Sequence, residues 1–85
     1  MADTITIDVL MFASLAQLLW QSRMQLTLPD NATVGDALDA IALEHPKIEA
    51  SRARLATAVN LSYTKPTHRL CDGDELALIP PVSGG

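Results

Sequence analysis

The stretch TITIDVLM, Thr4 to Met11, alternates strictly. Ile5, Ile7, Val9 and Met11 fall on one face, and Thr4, Thr6 and Asp8 fall on the other, which is the period of a half-buried strand. Leu10 and Phe12 break the pattern, because they put apolar groups on the face that should be wet. Leu15, Leu18 and Leu19 follow at helical spacing, with Ser14 as the expected cap of a short helix. Met24, Leu26 and Leu28 alternate again with Gln25 and Thr27, and Pro29, Asp30 and Asn31 end that strand. The segment TVGDALDAIALEH predicts the main helix. Thr33 and Asp36 have the spacing of a capping box, and Val34, Leu38, Ile41 and Ala42 form one apolar stripe. His45 before Pro46 closes the helix, because a residue preceding proline avoids helical geometry. Lys47 to Leu55 predicts no more than an irregular turn or two.

A third strand is expected over Ala56 to Tyr63, then a polar connection with a tight turn at Asp72-Gly73. The last strand is ELALIP, with Leu76 and Leu78 on one face and Ala77 and Ile79 on the other. Strands and one main helix segregate rather than alternate, which predicts an α+β fold: a mixed sheet with the helix across one face. The first and last strands are both strongly apolar, so both are expected at the centre and side by side. Leu10, Phe12, Ala77 and Ile79 then share the outer face as an apolar patch, a common mark of a docking surface. The expected organisation is one domain over residues 1–81 and a flexible C-terminal tail over 82–85.

Composition narrows the function. The chain has 85 residues, enough for one domain with a modest core. Ten acids against six bases give a net charge of -4, which argues against nucleic acid as a partner. Cys71 is the single cysteine, so no disulfide framework points to secretion. The start lacks the basic region of a signal peptide. The most apolar run, VLMFASLAQLLW, is shorter than the roughly 20 residues of a membrane span. A cytoplasmic location without membrane contact is expected.

Catalytic constellations are missing. His45 and His68 lie in no metal-ligand spacing, and no metal site is expected. Cys71 has no clear activating neighbour, since the residue beside it is the acid Asp72. The run DGDE resembles part of a calcium loop, but the rest of that twelve-residue pattern is absent, and a turn with Gly73 at positive φ is expected instead. What remains is PPVSGG, Pro80 to Gly85. A carboxylate becomes a good electrophile once ATP converts it to an acyl-adenylate. To reach an adenylating site it must pass along a narrow groove, which Gly84 and Gly85 fit because they have no Cβ. Pro80 and Pro81 hold the base extended and lack the N–H groups of another strand, with Val82 and Ser83 as spacer.

The run LCDGDELALIPPVSGG resembles the C-terminus of the small subunit of molybdopterin synthase, the MoaD family. The resemblance extends over the chain: LMFASLAQLL is similar to that family's N-terminal stretch, TVGDALDAI to its central helix and AVNLS to its third strand. It implies a ubiquitin-like β-grasp fold and a sulfur carrier. An E1-like adenylyltransferase would use ATP to adenylate Gly85, and a sulfur donor would convert the adenylate to a thiocarboxylate. The tail would enter the large synthase subunit and deliver sulfur to cyclic pyranopterin monophosphate, forming the dithiolene of molybdopterin. The chain itself would bind no cofactor and act as a non-catalytic subunit of a heterotetramer. Phe12 and Ile79 match positions where the family meets its partners, with Leu10, Tyr63, Pro80, Pro81 and the tail residues Val82 and Ser83 completing the expected contact surface. Where many relatives carry Arg or Glu in the first helix, this chain has Ala16 and Gln17. A carrier for thiamine or cysteine synthesis, a protein modifier joined through Gly85, and an interaction domain with an inert tail are the alternatives.

Overall fold

The computed structural model describes residues 3–81. Strand β1 spans Thr4–Met11, helix α1 Ala13–Leu19, β2 Arg23–Pro29 and α2 Val34–Glu44. Two short 3-10 helices follow, Pro46–Ala50 and Arg52–Arg54, where the sequence predicts only irregular turns. The chain then forms β3 Ala56–Val59, β4 Ser62–Thr64 and β5 Glu75–Ile79. One sheet holds all five strands in the order β2-β1-β5-β3-β4. The central pair β1 and β5 is parallel, and the other pairs are antiparallel. With α2 packed across one face, this is the β-grasp arrangement.

The alternation of β1 decides what is buried. Ile5, Ile7, Val9 and Met11 point inward with Leu76 and Leu78 of β5. They meet Val34, Leu38 and Ile41 of α2, Leu15 and Leu19 of α1, and Ile48 of the first 3-10 helix. Each such side chain contributes about 1.5–3 kcal/mol by leaving water. Helix α2 starts as its sequence predicts. Thr33 Oγ1 accepts from the Asp36 N–H at 3.2 Å, and Asp36 Oδ2 accepts from the Thr33 N–H at 2.9 Å. The Val34 and Gly35 N–H groups donate to the carbonyls of His68 and Pro66, so the long connection closes this helix end. Arg52 ties the 3-10 segment to α2 by pairing with Asp39 at 2.6 Å and Glu49 at 3.1 Å. The hydrogen bond it donates to Asp39, and after it that to Glu49, holds the guanidinium further above its already high range.

Two sequence expectations need correction. The segment Ala56 to Tyr63 is not one strand but a hairpin. Asn60 and Leu61 both have positive φ, 50° and 73°, which makes a two-residue turn in mid-segment. Asn60 was the available signal, because asparagine tolerates this geometry, but the apolar run around it masks the turn. Ser14 is not the cap of α1. That position falls to Phe12, whose side chain makes no capping bond, because the chain leaves β1 directly into the helix.

Helix α1 ends in a left-handed residue, Trp20 with φ 59°. The Trp20 N–H donates to Gln17 O and the Gln21 N–H to Ala16 O, the bonding of a helix terminus that favours glycine. Trp20 is 91% exposed, so no packing offsets the strain. Trp20→Gly is therefore expected to stabilise the domain by about 0.5–1 kcal/mol. Urea unfolding checks it, and an unchanged or lower midpoint contradicts it.

Candidate functional site

The helical segments with buried side chains pack on the inner face of the sheet, which leaves the outer face without a helix among the described residues. The register lays out its central row. Arg23 of β2 pairs with Leu10 of β1, Leu10 with Ala77 of β5, Ala77 with Ala58 of β3, and Ala58 with Tyr63 of β4. Every residue of this row shares one face, because pairing partners in a sheet point the same way. Ile79 lies beside Ala56 one step further along. Phe12 extends β1 beyond its last paired residue, and its N–H donates to Leu78 O at 3.4 Å. The four residues predicted to share this face, Leu10, Phe12, Ala77 and Ile79, do so. Among the described residues the ends of the strip are open, Phe12 at 45% and Tyr63 at 78% exposed, while Leu10, Ala77 and Ile79 are half-buried and Ala58 is buried.

One end of the strip is polar. Asp8 and Glu75 are register partners on the outer face, and Arg23 reaches Asp8 Oδ2 at 3.5 Å. A partner reading this face meets an apolar band from Phe12 to Tyr63 with two half-buried carboxylates along its border.

The root of the tail lies at the other end. Inward parity continues past β5 to Pro80, which is buried, while Pro81 is exposed. Ser14, Leu15, Leu18 and Ser51 line a small cavity beside Pro80. Among the expected contact residues before the tail, Pro80 is the one that presents little surface, because it turns inward beside α1. Its missing N–H has a local consequence. The parallel ladder runs through Asp8 N–H to Asp74 O and Phe12 N–H to Leu78 O, so its next rung would join residue 80 to Phe12 O. Proline cannot supply it, and Phe12 O instead accepts from the Leu15 N–H at 3.1 Å, opening α1. The expected tail residues Val82, Ser83, Gly84 and Gly85 lie outside the described residues.

The DGDE run is a structural clamp at the start of β5. Asp72 Oδ1 accepts from the Thr6 N–H at 2.7 Å, and the Gly73 N–H returns a bond to Thr6 O at 2.9 Å. Gly73 has φ 85°, the left-handed geometry expected of it. Asp74 takes the Cys71 N–H on one carboxylate oxygen and Asn60 Nδ2 on the other, at 2.8 and 2.9 Å. Sequence reasoning missed Asn60 here, because its partner Asp74 lies 14 residues further on. Cys71 is exposed, and His45 Nε2 lies 3.2 Å from Gln21 Nε2. Among the described residues no group of three or more His, Cys, Asp or Glu is placed to hold a metal ion. No helix among them is long and apolar enough to cross a membrane.

Comparison with known proteins places this geometry. The model of the ThiS family matches residues 9–85. The chain belongs to the ThiS family. Among related proteins, the molybdopterin synthase sulfur carrier subunit of Arabidopsis thaliana is 35% identical over 83 residues, 98% of this chain and 86% of the relative. Small archaeal modifier protein 1 of Haloferax volcanii is 37% identical over 88% of this chain and 95% of its own. Its crystal structure superimposes with a TM-score of 0.84 at 35% identity, covering 94% of this chain and 99% of that one. The complex of subunits 1 and 2 of molybdopterin-converting factor from Helicobacter pylori shares the fold, with a TM-score of 0.66 at 23% identity over 95% of this chain and all of that one. ThiS-family membership thus covers both the open strip and the tail.

Proposed function

We propose that this chain is the sulfur-carrier small subunit of molybdopterin synthase, with Gly85 as the group that carries sulfur. The observation that supports it best is the family match, which runs through the tail to residue 85. The open strip from Phe12 to Tyr63, beside the tail root at Pro80, supplies a surface by which a partner can hold the domain while it uses the tail. An E1-like adenylyltransferase joins the Gly85 carboxylate to AMP from ATP and releases pyrophosphate. A sulfur donor then displaces AMP, forming a C–S bond in place of a C–O bond. The large subunit takes up the tail, and the thiocarboxylate sulfur attacks cyclic pyranopterin monophosphate. Acid-base groups for that step belong to the partner. The cytoplasm, where thiols stay reduced, is the fitting compartment for this chemistry.

Incubating the chain with the adenylyltransferase, ATP and a sulfur donor is expected to replace one oxygen by sulfur. Intact mass spectrometry reads that gain, and a chain that gains nothing in the presence of all three removes the reading.

A second reading rests on the likeness to small archaeal modifier protein 1. The same adenylated glycine, passed to a lysine amine instead of sulfur, would form an isopeptide bond. Gly85-linked conjugates in cell extract would support it.

A further inference from the structure

Leu61 shares with Trp20 a left-handed backbone and near-complete exposure. It is the second residue of the turn joining β3 to β4, with φ 73°, and is 93% exposed. A bulky residue at positive φ is an outlier, since glycine adopts this geometry without steric conflict. A leucine in water also gains nothing from its apolar surface in the free chain.

Leu61 differs from Trp20 in what adjoins it. Asn60, the first residue of the turn, is bonded three ways to the start of β5. Its N–H donates to Glu75 O at 2.9 Å, its Nδ2 donates to Asp74 Oδ1 at 2.9 Å, and its Oδ1 accepts from the Glu75 N–H at 3.0 Å. The turn is thereby held to the sheet, and Leu61 stands at a fixed point on its tip. Two residues on, Tyr63 ends the outer apolar row. The hairpin tip thus lies past the Tyr63 end of the row, on the acidic side where Asp74 and Glu75 stand.

We infer that Leu61 is an anchor for the same partner that grips Phe12, Tyr63 and Ile79, so that the docking footprint reaches the tip of the β3–β4 hairpin. This rests on the function proposed above and names the large synthase subunit as the occupant. Strain and exposure both lower the stability of the free domain, and a contact made in the complex is what offsets them. A second copy of this chain is a poor occupant. Each copy carries a charge of -4, which opposes self-association. The fitting counter-face is apolar with a basic rim.

The test compares wild type, Leu61→Gly and Leu61→Ala for binding to the large subunit of the same organism by calorimetry, and for thermal unfolding alone. Leu61→Gly is expected to raise Tm by about 2–4 °C while weakening Kd about tenfold. Opposite signs from one substitution are the signature, since a merely structural residue moves both the same way or neither. Leu61→Ala keeps the left-handed strain and removes the anchor, so it weakens Kd without raising Tm. Wild-type affinity in both variants overturns the inference and leaves the proposed function standing. A lower Tm for Leu61→Gly overturns it too, because the strain would then be absent. A concentration-dependent wild-type dimer that both variants dissolve assigns Leu61 to self-contact instead. Failure of the wild-type chain both to bind the large subunit and to gain sulfur removes the proposed function and this inference with it.

Discussion

Deletion of Gly85 abolishes thiocarboxylate formation and leaves the thermal midpoint of the domain where it was. The loss follows from reach. Removing one residue draws the terminal carboxylate back by about 3.5 Å along an extended chain. A displacement of only about 1 Å from the reactive geometry already costs on the order of a hundredfold in rate. The shortened chain still ends in glycine, so the side-chain-free tip is kept and only its position changes. Stability is spared because the buried core is built from residues between Ile5 and Leu78, with Pro80 turned inward beside α1. Intact mass after incubation with adenylyltransferase, ATP and sulfur donor reads the first effect, and a melting curve reads the second. Sulfur uptake at the wild-type rate by the shortened chain would refute the assignment to Gly85.

Phe12→Asp weakens binding to the large subunit at least about a hundredfold, roughly 2.7 kcal/mol, while the domain stays folded. Phe12 stands at the edge of the open strip, half in contact with the fold and half in solvent. In a complex the substituted carboxylate would be taken out of water against an apolar partner, with no cation of this chain described beside it. In the free domain the same change is mild. Phe12 occupies the N-cap position of α1 without a capping bond, and aspartate there contributes about 1 kcal/mol, which offsets much of the lost ring packing. Phe12→Leu keeps the apolar contact and is expected to bind within a few-fold of wild type. Calorimetry with all three chains decides the matter, and equal affinities would rule out the strip as the docking surface.

Much of this was legible in the chain because periodicity is a one-dimensional record of burial. The alternation of Ile5, Ile7, Val9 and Met11 named the inner face, and its breach at Leu10 and Phe12 named the outer patch. Thr33 and Asp36 announced the start of α2 because a capping box closes within four residues. Gly73 announced its turn because positive φ selects glycine. The hairpin at Asn60-Leu61 was not legible. Leucine opposes the geometry it adopts there, and the bonds that hold the turn come from Asp74 and Glu75, more than ten residues away. The cap of α1 depends in the same way on a distant residue: Phe12 O opens the helix at the point where the ladder with the neighbouring strand stops, because Pro80 has no N–H to offer it.

The sequence by itself determined the strands at both ends, the main helix, the apolar outer positions and the glycine tail. Each is written in local spacing or residue type, and local sterics and burial suffice to read it. Tertiary structure alone decided that Tyr63 completes the row begun at Leu10, that Pro80 turns inward, and that Leu61 is held out at the hairpin tip. These depend on register and on hydrogen bonds between distant segments, which form only when the parallel pairing of β1 with β5 brings the two ends of the chain together.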